Sequence, residues 1–139
     1  MAASYDPEGK PGTWKKWDGS DFSGEACGEN GLGSSNVAIS NLSDVPGANP
    51  SVMWNHYLNK WIMVYHSWEK EIYLAASDDA IHWTNPKKII GDKDFQVWYP
   101  NLISEEGEKT GGQTVRLYFG YFYPNPYGKR HLSYCDLSF

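Results

Sequence analysis

Pro50-Ser51-Val52 and Pro100-Asn101-Leu102 stand roughly 50 residues apart, and each opens the same succession of short apolar runs. Trp61-Ile62-Met63-Val64-Tyr65 in the first unit parallels Leu117-Tyr118-Phe119-Gly120-Tyr121 in the second. The first unit reads Ser51–Trp54, Lys60–His66 and Glu71–Ala76, separated by turns at 55–59 and 67–70. A further turn at Ser77-Asp78-Asp79-Ala80 precedes Trp83, and Lys87–Ile90 fills a fourth slot. The runs are too short and too rich in β-branched and aromatic residues for helices. Along Lys60–His66, Trp61, Met63 and Tyr65 alternate with Ile62, Val64 and His66, and both sets are largely apolar. Such a strand is covered on both faces, by neighbouring sheets.

The second unit has three strand slots: 97–104, Val115–Tyr123 and His131–Leu137. A strand-only period of this length marks a β-propeller blade. The expected fold is therefore all-β: a partial β-propeller of about two to two and a half four-stranded antiparallel blades. Residues 1–12, with Pro7, Gly9, Pro11 and Gly12, read as a disordered start. Residues 13–139 form the partial propeller: 13–49 an outer strand at Thr13–Trp17 and a long loop, 50–91 one blade, 92–139 another. Within 13–49, Asp18–Ser35 reads as loop, Asn36–Ser40 as a weak strand and Pro46-Gly47 as a turn. Thr13–Trp17 either completes the second blade or is the tail of a missing one.

Two blades do not close a ring, since propellers have at least about four. The open aromatic faces then call for a cover. A two-fold dimer would complete a five-blade-like ring, so the expected partner is the chain itself, as a homodimer or higher oligomer. Seven Trp, ten Tyr and five Phe supply the buried area that a mean hydropathy of −0.60 otherwise denies. A net charge of −5 argues against nucleic-acid binding, which needs a basic face. No segment approaches a membrane helix, and the first thirty residues show no apolar run of a signal peptide. Cys27 and Cys135 make no disulfide framework; a bridge between them and two buried thiols are both open, the thiols favoured.

Asn49-Pro50-Ser51-Val52, Lys60–Tyr65 and Ile72–Trp83 together resemble a blade of the five-bladed β-propeller glycoside hydrolases, the arabinanase, β-xylosidase and invertase-like superfamily. The Ser-x-Asp-Gly-x-x-Trp turn is typical of it; here it runs Ser77-Asp78-Asp79-Ala80-Ile81-His82-Trp83, with Ala80 in the Gly place. Trp98-Tyr99-Pro100 looks like the start of the next innermost strand. Thr13–Trp17 and Gly31-Leu32-Gly33 look like the end of a preceding blade. The resemblance covers about residues 13–139, the C-terminal blades. It implies catalytic carboxylates spread over several blades; the earliest, which carry the general base, have no counterpart here.

In a propeller, innermost-strand starts and second-to-third-strand turns converge at one end of the axis. That groups Asn49, His66, Ser67, Trp68 and Glu69 with Gln96, Trp98, Tyr99, Asn125, Tyr127 and Arg130. Aromatic platforms beside amide, carboxylate and guanidinium groups suit sugars, which present apolar CH faces and hydroxyls; the same residues also serve as aromatic core and rim. Glu69 is the candidate general acid and needs a second carboxylate roughly 5–10 Å away. Asp92, Asp94, Glu25 and Glu29 are its candidates. Glu69 also reads as a solvated turn residue paired with Lys70, and His66 as a base, a ligand or a hydrogen-bonded core residue. Asp78 and Asp79 read as turn caps. The histidines have no metal-ligand spacing, and no cofactor is implied.

The residues favour a carbohydrate-associated, self-associating module that lacks the full catalytic set, with a poly- or oligosaccharide as ligand. An active glycosidase completed across an oligomer interface and a ligand-free remnant are the alternatives.

Overall fold

The computed structural model describes residues 2–18, 20–25, 45–91, 95–104, 110–122 and 129–139. Among them are ten strands and no helix. The chain divides into two compact units, 1–38 and 39–139.

In the first unit, β1 (Ala2–Ser4), β2 (Trp14–Trp17) and β3 (Phe22–Glu25) form an antiparallel meander in that order. β2, expected as an outermost strand that completes the second blade or ends a missing one, is paired with β1 on one edge and β3 on the other. The expected loose start and the expected Gly/Ser loop thus supply one strand each. Both are too short for alternation to reveal. Asp18 shapes the β2–β3 turn: its Oδ1 accepts from the amides of Ser20 and Asp21, and its Oδ2 from the Ser23 hydroxyl.

The second unit holds two antiparallel sheets. β4 (Gly47–Asn55), β5 (Lys60–Ser67), β6 (Ile72–Ser77) and β7 (Lys87–Ile90) lie in chain order. β8 (Gln96–Ser104), β9 (Thr114–Phe122) and β10 (His131–Ser138) form the other sheet. Both first strands carry the same defect. Ala48 pairs with His66 and Ser51 with Val64, so Asn49 and Pro50 together oppose the single residue Tyr65. Trp98 pairs with Gly120 and Asn101 with Tyr118, so Tyr99 and Pro100 together oppose Phe119. In each bulge the residue before proline is left-handed, with φ +54° at both Asn49 and Tyr99. Proline is tolerated there because a bulged residue donates no ladder hydrogen bond. The Pro46-Gly47 turn expectation is therefore corrected: β4 already begins at Gly47. A Cβ at Gly47 would lie 2.1 Å from the His66 carbonyl oxygen, so only glycine lets the strand start so close to β5.

The main core lies between the two sheets. Met53, Ile62, Val64 and Ile72 from the first meet Val97, Leu102, Val115, Leu117 and Phe119 from the second. On the other face of the first sheet, Met63, Tyr65, Ala75 and Trp83 form a second cluster, with Val45 and Tyr73 packed against it. β5 is thus covered on both faces, as its composition requires. Neighbouring sheets were expected to do this on both sides; on the second face the chain's own return at Trp83 contributes, and Tyr65 is only 4 % exposed.

The repeat predicts which face is used. Ile62 and Val64 face the second sheet. Their counterparts, Tyr118 and Gly120, lie on the face of the second sheet turned away from the first, beside Tyr134 and Leu132. Leu132 is 78 % exposed and Tyr134 60 %.

Two polar devices hold the ends. Asn55 is fully buried: its amide donates to the Gly112 carbonyl (2.8 Å) and its Oδ1 accepts from the Leu58 amide (2.9 Å). In the Ser77–Trp83 turn, Asp79 Oδ1 accepts from the amides of Ile81 and His82, and Oδ2 lies 2.6 Å from His82 Nδ1. The hydrogen bonds from His82 and the backbone hold the Asp79 carboxyl far below the usual carboxylate range. Asp78, expected as a second cap, instead pairs with Lys60 Nζ at 2.6 Å. Ala80 sits at φ +61°, where glycine costs nothing. Cys135 is a free thiol packed against the main core, and Cys27 lies outside the described residues.

Candidate functional site

The end of the second unit at which β5 finishes and β8 begins gathers most of the aromatic candidates. His66 is the last inward residue of β5 and is 1 % exposed. Its ring lies 5.1 Å from Trp98, 5.9 Å from Tyr99 and 6.4 Å from Trp68, centroid to centroid. Trp68 is 63 % exposed and Tyr99 57 %. A buried imidazole thus sits beneath two exposed rings. Its Nδ1 has no hydrogen-bond partner among the described residues. Burial pushes its pKa down, so the ring is neutral at pH 7.

The turn after β5 is fixed by main-chain bonds. The Lys70 amide donates to the Ser67 carbonyl (2.9 Å), with Lys70 left-handed at φ +68°. The Val97 amide of β8 donates to the Lys70 carbonyl (3.0 Å), stitching this turn to the second sheet. Lys70 Nζ lies 5.5 Å from the Trp98 ring centroid.

A cavity of about 90 Å³ opens beside these rings, lined by Trp98, Tyr99, Gly120, Tyr121 and Arg130. Trp98 and Gly120 are cross-strand partners, so the space over the indole exists because residue 120 has no side chain. Arg130 makes no hydrogen bond or ion pair with any described residue. Tyr121 and Gly120 were absent from the site expectation, and Lys70, expected to pair with Glu69, instead holds its ammonium over Trp98. The signal for Gly120 was its place inside an otherwise aromatic strand, where glycine marks a close approach or an opening.

Of the expected site residues, His66 is in ring contact with Trp68, Trp98 and Tyr99, Trp98 also with Tyr99, and Arg130 joins Trp98 and Tyr99 at the cavity. Asn49 lies in the β4 bulge, one residue from Ala48, the partner of His66. Gln96 opens β8 opposite Phe122 and does not line the cavity. Asn125 and Tyr127 lie outside the described residues. Glu69 is exposed in the turn and makes no hydrogen bond or ion pair with a described residue. Its charge acts on Tyr73, which stacks on Tyr65 on the face opposite His66. Burial, then the hydrogen bond to Glu71, then the charges of Glu71 and Glu69 push the Tyr73 phenol up to about 12. Glu71 itself is held by Lys88 Nζ at 3.0 Å and Tyr73 Oη at 2.9 Å. Of the carboxylates considered as partners for Glu69, Asp92, Asp94, Glu29 and the Glu25 side chain lie outside the described residues. Among the described residues, no three His, Cys, Asp or Glu side chains cluster as metal ligands.

Comparison of the chain with protein-family models, with curated proteins and with solved structures finds no match. The functional reading therefore rests on the geometry of this end of the sheets.

Proposed function

We propose that this end of the two sheets is a saccharide-contacting surface on a propeller-type module. The observation that carries the reading is the pair Trp68 and Tyr99: two large rings more than half exposed, yet braced from below by buried His66. Exposed aromatic rings held rigid lose little entropy when a ligand stacks on them. Sugars offer apolar CH faces to such rings and hydroxyls to amide and guanidinium groups.

The propeller part of the reading is supported by the repeated bulges and by the stacking polarity. Each sheet has one face that meets its successor, and the second sheet leaves that face open. In the first sheet the corresponding face is covered by a β-sheet, so an apolar sheet face is the fitting cover. A second copy of the chain supplies one, which makes self-association through the Leu132 and Tyr134 face part of the reading; Leu132 pairs with Gly120 of the cavity, so such a contact competes with a saccharide there.

The test is isothermal titration and Trp fluorescence of the whole chain with a panel of neutral and acidic oligosaccharides. Binding by at least one, weakened about tenfold by Trp98→Ala, is the expected result. No heat and no fluorescence change across the panel would overturn the saccharide reading and favour a ligand-free scaffold.

A further inference from the structure

The charges around the cavity are out of keeping with the chain. The chain carries −5 overall, yet at this site Arg130 and Lys70 form no ion pair with a described carboxylate. Arg130 lines the cavity and pairs with no described residue. Lys70 holds its ammonium over Trp98. Other described acids are engaged elsewhere. Glu71 is bound to Lys88 and Tyr73, and Asp136 to Arg116 at 2.8 Å. Asp78 is bound to Lys60 and Asp79 to His82. Glu69 shares the turn with Lys70 but makes no ion pair with a described residue, and its charge reaches Tyr73. His66 contributes no positive charge, being buried and neutral.

A guanidinium meets a hydroxyl through single, neutral-acceptor hydrogen bonds. It meets a carboxylate through two parallel ones in which donor and acceptor are both ionised, a fork geometry that no single hydroxyl matches. Three aromatic walls next to one uncommitted guanidinium therefore select for a ligand that is a sugar on one side and an acid on another. We propose that the cavity takes an acidic saccharide, a hexuronate unit laid against Trp98 and Tyr99 with its carboxylate received by Arg130. This assignment rests on the saccharide reading above and narrows it to a substrate class.

The discriminating pair of probes is trigalacturonate and the same trisaccharide fully methyl-esterified. The two share a backbone and differ in charge. Trigalacturonate is expected to bind the whole chain about tenfold or more tightly than the ester, as loss of a charge-assisted pair implies. That preference should shrink at high salt. Arg130→Gln should bring the two affinities together. Arg130→Lys, which keeps the charge without the fork, should fall between. Circular dichroism of each variant confirms the fold, and Arg130 is exposed, so its replacement leaves no cavity. Equal binding of acid and ester, or a preference that survives Arg130→Gln, would overturn the acidic assignment while leaving the saccharide reading intact. Binding of neither probe, with a neutral oligosaccharide from the panel bound, also overturns it. Binding of nothing at all removes the saccharide reading itself.

Discussion

The Ser51 hydroxyl lies 3.1 Å from Asn101 Oδ1, and the two residues hold the same place in successive repeats. The same hydroxyl oxygen accepts from the Leu102 amide at 3.0 Å. One side chain thus joins the first strands of the two sheets just past their matching bulges. Ser51→Ala should leave the Leu102 amide unpaired between the sheets and cost about 1–3 kcal/mol. Urea denaturation measures this; an unchanged midpoint would mean that the hydroxyl does not hold the strands together.

Ala80 offers a change in the opposite direction. At φ +61° its Cβ crowds the backbone, while the turn around it is fully bonded through Ser77 and Asp79. Ala80→Gly should relieve about 1 kcal/mol of left-handed strain, partly offset by the greater freedom of glycine in the unfolded chain. A rise in the urea midpoint with an unchanged slope is expected. A fall would show that unfolded-state entropy outweighs the strain.

The pH dependence of stability separates two groups. Burial lowers the folded pKa of His66 below its ordinary 6.5. The unfolded chain then binds the extra proton first, so this contribution is present above pH 6.5 and is lost as pH falls through the folded pKa. Asp79 is also depressed, from an ordinary 3.8, chiefly by its hydrogen bond to His82. Its contribution is present above pH 3.8 and fades only as the solution becomes more acidic than that. Just below pH 6.5, His66→Phe should therefore flatten the stability profile, in a range where the Asp79 carboxyl itself does not titrate. Equal slopes for wild type and His66→Phe across this window would contradict the buried, neutral assignment.

The open face of the second sheet predicts association. Light scattering of the whole chain should show a mass that rises with concentration toward twice 15.8 kDa. Leu132→Glu places a charge on the most exposed large apolar residue of that face and should hold the chain at monomer mass. A wild-type chain that stays monomeric at all concentrations would remove self-association from the reading.

Much of this fold is legible because alternation and turn chemistry agree. β5, β6, β9 and β10 announce themselves through apolar runs bounded by polar turns. Other elements were hidden for identifiable reasons. β1 is three residues long and shows no pattern. β4 begins inside Pro46-Gly47, a turn signal that the bulge at Asn49-Pro50 converts into strand. At the site, the aromatic residues were visible as a composition, but their environments were not. His66 and Trp68 are two residues apart on the same alternation, yet one is buried and the other exposed, because the strand ends between them. Lys70, read only as a partner for Glu69, and Gly120 were not legible as site residues because each acts through geometry, one by a left-handed turn and the other by an absent side chain.

The hydrogen bond from the Val97 amide to the Lys70 carbonyl has a practical corollary. It is made of peptide groups alone, so replacing a side chain deletes neither partner. Trp68, Trp98, Tyr99 and Arg130 are thus mounted on a frame whose crosspiece persists through single substitutions. Ligand preference at this end can be re-engineered one residue at a time, with the fold beneath it left in place.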